Sequence, residues 1–171
     1  MNENISTDRL ELSPFNVMGL PVVVQLVEWL NDAETMKYSE QRHKKHSVRS
    51  QYDYIDSFHF PSTYLLIKLK NDKLIGTITA TVDYHNYVAD IGVLIGDRNE
   101  WGRGYGGEAW VALTRWLFSG RIRKVTGGAM SRNKGMTSIF IKSGMRMEGL
   151  LKDHYLFEGK PTDIELWGKL K

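Results

Sequence analysis

The chain has 171 residues, 42% of them hydrophobic and 25% charged, with a formal net charge of +3 and no cysteine. Residues 1–171 fit one ordinary domain with a real core, and the missing cysteine excludes disulfides, Cys-ligated metal sites and a Cys nucleophile. The polar stretch Met1 to Arg9 carries acids and is no signal peptide; the longest apolar run, Leu20 to Leu30, contains Gln25 and Glu28 and is too short for a bilayer, so a soluble cytoplasmic protein is expected.

Arg9 to Ser13 alternates apolar and polar residues and stops at Pro14, as a first strand would. Pro21 opens a helix carrying Val23, Val24, Val27 and Leu30. Asn31 to His46 is polar and irregular, and Ser47 caps a second helix reaching about Phe58. Thr63 to Leu69 and Leu74 to Val82 form a hairpin around Asn-Asp turn residues, followed by a third strand, Tyr87 to Ile95. Ala109, Leu113, Trp116 and Leu117 then make a helical stripe, and Lys124 to Met130 reads as a short strand. Met136, Ile139, Phe140 and Ser143 share one face of a helix ended by Gly144. Arg146 to Phe157 and Thr162 to Leu170 close the chain as a hairpin around Glu158-Gly159. The sum is an α+β fold: a mixed, mostly antiparallel sheet of about seven strands flanked by about four helices.

The most informative stretch is Trp101-Gly102-Arg103-Gly104-Tyr105-Gly106-Gly107-Glu108-Ala109, between a strand and a helix. Glycines let backbone N–H groups approach a ligand, and the helix behind them points its positive end at the same place, so the turn reads as a phosphate cradle. No acid occurs from Ala109 to Met147, while that window holds Arg115, Arg121, Arg123, Lys124, Arg132, Lys134, Lys142 and Arg146. An anionic ligand or a solvated basic surface would each explain it. Gly102, Gly104 and Gly107 satisfy G-x-G-x-x-G, but the strand after the helix has no acid for a ribose, and the antiparallel strands before it fit a nicotinamide-binding fold poorly. The phosphate-loop lysine and kinase signatures are absent. A purely structural turn is the remaining alternative.

Taken with its flanks, the stretch resembles the Gcn5-related N-acetyltransferase superfamily, in the subgroup similar to ribosomal-protein alanine acetyltransferases. The similarity runs through Thr7-Asp8-Arg9-Leu10 with Pro14-Phe15, Asp90-Ile91-Gly92-Val93, the glycine turn with Glu108-Ala109, Asn133 through Gly144-Met145, and Glu148-Gly149, Asp153-His154-Tyr155 and Gly159-Lys160 with Asp163. Trp101 stands where the wider superfamily has Gln or Arg, Met145 replaces an aromatic residue, and Phe140 stands where many relatives carry a tyrosine that protonates the leaving thiolate.

The resemblance implies acetyl transfer from acetyl-CoA, the cosubstrate, to a primary amine. It places the cofactor on Val93, Leu94, Ile95, Trp101, Gly102, Arg103, Gly104, Tyr105, Gly106, Gly107, Asn133 and Phe140. Val93 to Ile95 would offer a strand edge, opened by a splay or bulge near Gly92 and Gly96, with the Leu94 N–H as oxyanion donor. Side chains at Gly104 or Gly106 would crowd the pyrophosphate. Asp90 is the expected general base, and Phe140 a packing residue against the cofactor arm or the core. Acceptor candidates are Glu40, Arg42, Tyr84, His85 and His154. The acceptor is expected to be a small amine such as a nucleotide-linked amino sugar, or else a protein or peptide N-terminus; a non-catalytic CoA-binding module is the rival. His43-x-x-His46 encloses Lys44 and Lys45, which repel a cation, so no metal is expected. Scattered basic residues without a stacking motif argue against nucleic acid, no membrane partner is expected, and the assembly is a monomer or homodimer.

Overall fold

The computed structural model describes residues 4–15 and 19–171. Met1 to Glu3, the start of the polar stretch not expected above to be a signal peptide, lie outside the described residues. The strands are β1 (Ile5–Ser6), β2 (Leu10–Pro14), β3 (Thr63–Leu69), β4 (Leu74–Asp83), β5 (Val88–Ile95), β6 (Lys124–Met130), β7 (Arg146–Phe157) and β8 (Lys160–Leu170). The helices are α1 (Leu20–Asn31), α2 (Val48–Asp56), α3 (Tyr105–Ser119) and α4 (Lys134–Lys142), with a 3₁₀ turn at Glu40–His43. The strands form one sheet in the order β1-β2-β3-β4-β5-β6-β8-β7. Among the described residues only β5 and β6 run parallel. The sheet has eight strands rather than about seven, because β1 is two residues long and too short to show a periodicity.

Local chemistry accounts for the boundaries. Pro21 lies in the first turn of α1, where its missing N–H costs nothing. Ser47 and Ser50 cap α2 reciprocally, and Asn133 accepts from the Met136 N–H at the start of α4. Glu158 and Gly159 both have positive φ, the geometry that joins β7 to β8 tightly.

Each face of the sheet buries its own layer. Ile78, Ala80, Ile91 and Val125 pack with Trp110 and Leu113 of α3 and Phe140 of α4. On the other face Tyr64, Leu66 and Leu74 meet Leu26 of α1 and Ile55 of α2. Alternation along β5 therefore sends Ile91, Val93 and Ile95 toward α3, and Asp90 toward the face that carries α1 and α2. No helix among the described residues is long and apolar enough to cross a membrane.

Candidate active site

The parallel pairing of β5 with β6 lasts three residues: Val88 with Lys124, Ala89 with Val125, and Asp90 with Thr126. Beyond that the strands part. β5 continues along β4 to Ile95, and β6 continues along β8 to Met130. The result is a wedge in the sheet, closed at Asp90 and open toward the ends of both strands. Beneath it a side chain at Gly127 would strike the Trp110 ring at 2.8 Å and Phe140 at 3.0 Å.

The register decides which backbone groups line the wedge. β4 and β5 pair without interruption from Gly76–Ile95 to Asp83–Val88. The Gly96 N–H donates to Ile75 O, and the Leu94 oxygen lies 2.1 Å from where a Cβ on Gly76 would stand, so even-numbered residues face β4. The Tyr87 oxygen accepts from the Arg123 N–H, and the Ile95 oxygen accepts from Trp101 Nε1 at 2.7 Å, so odd-numbered residues face β6 and the wedge. Backbone groups of a strand alternate sides in this way. This corrects the oxyanion expectation: the Leu94 N–H points into the β4 ladder, and the groups on the free edge belong to Val93 and Ile95. It also shows that the opening is a splay, with no bulge at Gly92.

The glycine turn follows at once. Gly102 and Gly104 have φ of 74° and 83°, a left-handed backbone that side-chain-bearing residues adopt only with strain. The first bond inside α3 is Glu108 N–H to Gly104 O, so the N–H groups of Tyr105, Gly106 and Gly107 have no intrahelical acceptor. Together with the dipole of a 15-residue helix they suit an anion. Gly106 has a different reason from the one expected. It is buried, and a Cβ there would lie 3.2 Å from Ile139 Cδ1, so it serves the contact of α3 with α4.

The turn is braced from β2. Arg9 Nε donates to Glu108 Oε2 at 2.6 Å, Arg9 Nη1 donates to the Arg103 oxygen at 3.0 Å, and the Arg9 guanidinium lies 4.6 Å from the Tyr105 ring centre. Thr7 Oγ1 donates to Glu108 Oε1 at 2.6 Å. Burial raises the Glu108 pKa, but the bonds from Thr7 and Arg9 outweigh it and hold the carboxyl below its usual value. The sequence does not reveal Thr7, Arg9 and Glu108 as partners; their pairing spans about a hundred residues and has no local signal. A groove of about 910 Å³ runs from Gly104 and Gly107 between α3 and α4, with Arg115 and Lys142 on its walls.

At the vertex, Thr126 Oγ1 donates to Asp90 Oδ1 at 2.7 Å. Asp90 reaches solvent, yet the surrounding protein raises its pKa, and the Thr126 bond opposes that rise. A carboxylate whose pKa is moved toward neutrality is a better proton acceptor. Phe140 is 0% exposed, with its ring 5.3 Å from Trp110 and 5.6 Å from Trp167. It is a core residue without a surface for a cofactor contact, which corrects its place among the cofactor residues. Asn133 spends its oxygen on the α4 cap, accepting from the Met136 N–H at 3.1 Å.

The acceptor candidates separate. Arg42 bridges the 3₁₀ turn to β7, pairing with Glu40 at 2.7 Å and donating to Leu156 O at 2.8 Å. Tyr38 stacks on Phe157 at 5.2 Å. Tyr84 and His85 sit in the β4–β5 turn, at the closed end of the wedge, about 20 Å of strand from its open end. They do not join Glu40 and Arg42. His154 is exposed on β7 beside Tyr155, where the pairing with β8 shifts register. Among the described residues no three His, Asp or Glu side chains are grouped to hold a metal ion.

The family model described as acetyltransferase (GNAT) domain matches residues 9–146. No curated protein matches the chain. Several solved structures share the whole fold. An acetyl transferase from Salmonella typhimurium, described as modifying the N-terminal serine of ribosomal protein L7/L12, superposes with a TM-score of 0.81 at 20% identity, covering 99% of each chain. Spermidine N-acetyltransferase from Vibrio cholerae, solved with CoA and spermine, gives 0.82 at 15% identity over 96% of each chain. The microcin C7 self-immunity acetyltransferase, solved with acetyl-CoA and AMP, gives 0.78 at 21% identity over 96% of this chain and 94% of its own. The chain belongs to the acetyltransferase (GNAT) domain family, and it is an N-acetyltransferase that uses acetyl-CoA.

Proposed function

We propose that residues 1–171 act as one catalytic domain that acetylates a primary amine on a small molecule, by direct attack on a thioester seated in the β5–β6 wedge. The observation that carries this reading is the placement of Asp90 at the vertex of that wedge, on the face away from the glycine turn. Cosubstrate and acceptor then meet from opposite faces of the sheet.

The residues fit acetyl-CoA. The free N–H groups of Tyr105 to Gly107 take the pyrophosphate, with Gly102 and Gly104 giving the turn its shape. Arg115 and Lys142 flank the path of its remaining phosphate. The pantetheine amides pair with the Val93 edge as an added strand would. Acetyl-CoA supplies the activated acyl group. The Val93 N–H hydrogen-bonds the carbonyl oxygen as negative charge builds on it, and the Ile95 N–H lies one pleat further out.

An alkylamine is only about 0.04% neutral at pH 7, so a proton acceptor matters. Asp90 takes that proton. It stands about 10 Å of strand from Val93, and water between them relays the transfer. The departing thiol has a pKa of roughly 8.5 and leaves as thiolate without an acid, which suits a chain with Phe140 where a tyrosine stands in relatives. Among the solved structures above, the acceptors named are a ribosomal-protein N-terminus and a polyamine. The basic composition around residues 42–45 supports instead a small acceptor carrying a nucleotide.

Thermal melting with acetyl-CoA, NADPH and ATP tests the cosubstrate assignment. Acetyl-CoA raises the melting temperature well above the other two; an equal response to all three counts against it.

A further inference from the structure

We infer that the cavity between the end of α1 and the 42–45 loop, along the segment that crosses the open end of the wedge, is a phosphate site for the acceptor. The amine that is acetylated then belongs to an anionic, phosphate-bearing molecule. This deepens the transferase reading above and rests on it.

The place comes first. Trp29, near the end of α1, lies against Gly96 at the end of β5: a Cβ on Gly96 would stand 2.0 Å from its ring. Arg98, just beyond, pairs with Asp32 at 3.9 Å. On the other side Tyr38 stacks on Phe157, which packs with Met130 at the end of β6. The segment 29–38 therefore spans the mouth of the wedge from one strand end to the other. A cavity of about 740 Å³ lies along this segment and the 42–45 loop, with Phe157 and Glu158 also on its wall.

The charge comes second. The cavity is lined by Lys37, Arg42, His43, Lys44 and Lys45 against two carboxylates, Asp32 and Glu158. Asp32 already accepts from Thr35 and faces Arg98. Glu34 and Glu40 stand near Lys37, Arg42 and His43, but no ion pair is formed by Lys44 or Lys45 among the described residues. Lys44 and Lys45, outside those pairs, would repel a polyamine and draw in a phosphate.

The third argument is that the basic loop is held. Asn31 Nδ2 donates to the His46 oxygen at 2.9 Å, and the His46 N–H returns a bond to Asn31 Oδ1 at 2.9 Å. At the other end Arg42 donates to Leu156 O on β7. Pinned at both ends, the loop presents Lys44 and Lys45 without the ordering cost of a free loop. Compact ammonium groups on a fixed backbone suit phosphate oxygens.

The test uses full-length protein saturated with CoA, so that the glycine cradle is filled, and titrates inorganic pyrophosphate by calorimetry. Saturable CoA binding, read first in the same cell, tests the transferase reading separately. Pyrophosphate is expected to bind the wild type, with affinity reduced about tenfold or more in Lys44→Glu/Lys45→Glu. The control Arg121→Glu/Lys171→Glu makes the same change in net charge away from the cavity and keeps wild-type affinity. All four residues are exposed, so the variants fold. No pyrophosphate binding by the CoA-saturated wild type overturns the proposal. So does a loss of less than about threefold in the loop variant, or an equal loss in the control.

Discussion

Thr126 Oγ1 donates to Asp90 Oδ1 across the last pair of the β5–β6 ladder, at the point where the two strands part. The bond stabilises a carboxylate that burial otherwise pushes toward its protonated form. Thr126→Val removes it, and the Asp90 pKa rises further. The acidic limb of the kcat/KM profile, measured with saturating acetyl-CoA, moves to higher pH. A limb that stays in place shows that Asp90 does not control the rate.

Asp90→Asn should lower turnover by about 100- to 10,000-fold, the usual worth of a positioned base, and leave the acetyl-CoA melting shift intact. Stability should not fall. A raised folded-state pKa gives a stabilising contribution that is full below the unfolded carboxyl range and lost as pH rises through the folded value. At pH 7 the charged Asp90 contributes none of it. A marked drop in melting temperature at pH 7 would assign Asp90 a structural role instead.

The two candidate oxyanion donors are separable by proline. Val93→Pro deletes an N–H that faces the wedge and so costs the β4 ladder nothing; it should fold and lose about 100- to 1000-fold in kcat. Leu94→Pro deletes a ladder bond within the sheet and should destabilise the fold. Near-normal turnover in a folded Val93→Pro protein would return the role to another group.

Glu108 makes its own pH signature. Its folded pKa is depressed, so its bonds with Thr7 and Arg9 stabilise the chain above the unfolded glutamate pKa, and that contribution is lost as pH falls through the folded value. Glu108→Gln should lose stability at pH 7 and lose less between pH 7 and pH 4 than wild type does. It should also weaken acetyl-CoA binding, because Arg9 no longer holds the Arg103 carbonyl. Melting curves at the two pH values decide it; parallel losses in both proteins would count against the clamp.

The order of elements was legible in the sequence because the helices and most strands carry their own periodicity, with Ser47 and Asn133 capping α2 and α4 and Pro21 opening α1. The glycine turn was legible for the same reason: Gly102 and Gly104 act locally, through φ. What escaped depends on which residues meet. Val93 and Leu94 differ only in which way their N–H groups point, and that follows from the register with β4, beginning at Gly76 opposite Ile95. Gly106 looks like part of the cradle until Ile139 is placed beside it. Phe140 fits either a cofactor wall or the core, and its edge-to-face contact with Trp110 and tilted contact with Trp167 decide for the core. Tyr84 and His85 are near Asp90 in sequence but stand at the wrong end of its strand.

The most direct test follows release of CoA thiol from acetyl-CoA across a panel of primary amines, phosphorylated and unphosphorylated, using wild type and Asp90→Asn. The expected result is amine-dependent release by wild type that falls at least about 100-fold in the variant while both proteins bind acetyl-CoA equally. Saturable acetyl-CoA binding with no amine-dependent release on any member of the panel would contradict the account and leave a non-catalytic CoA-binding module.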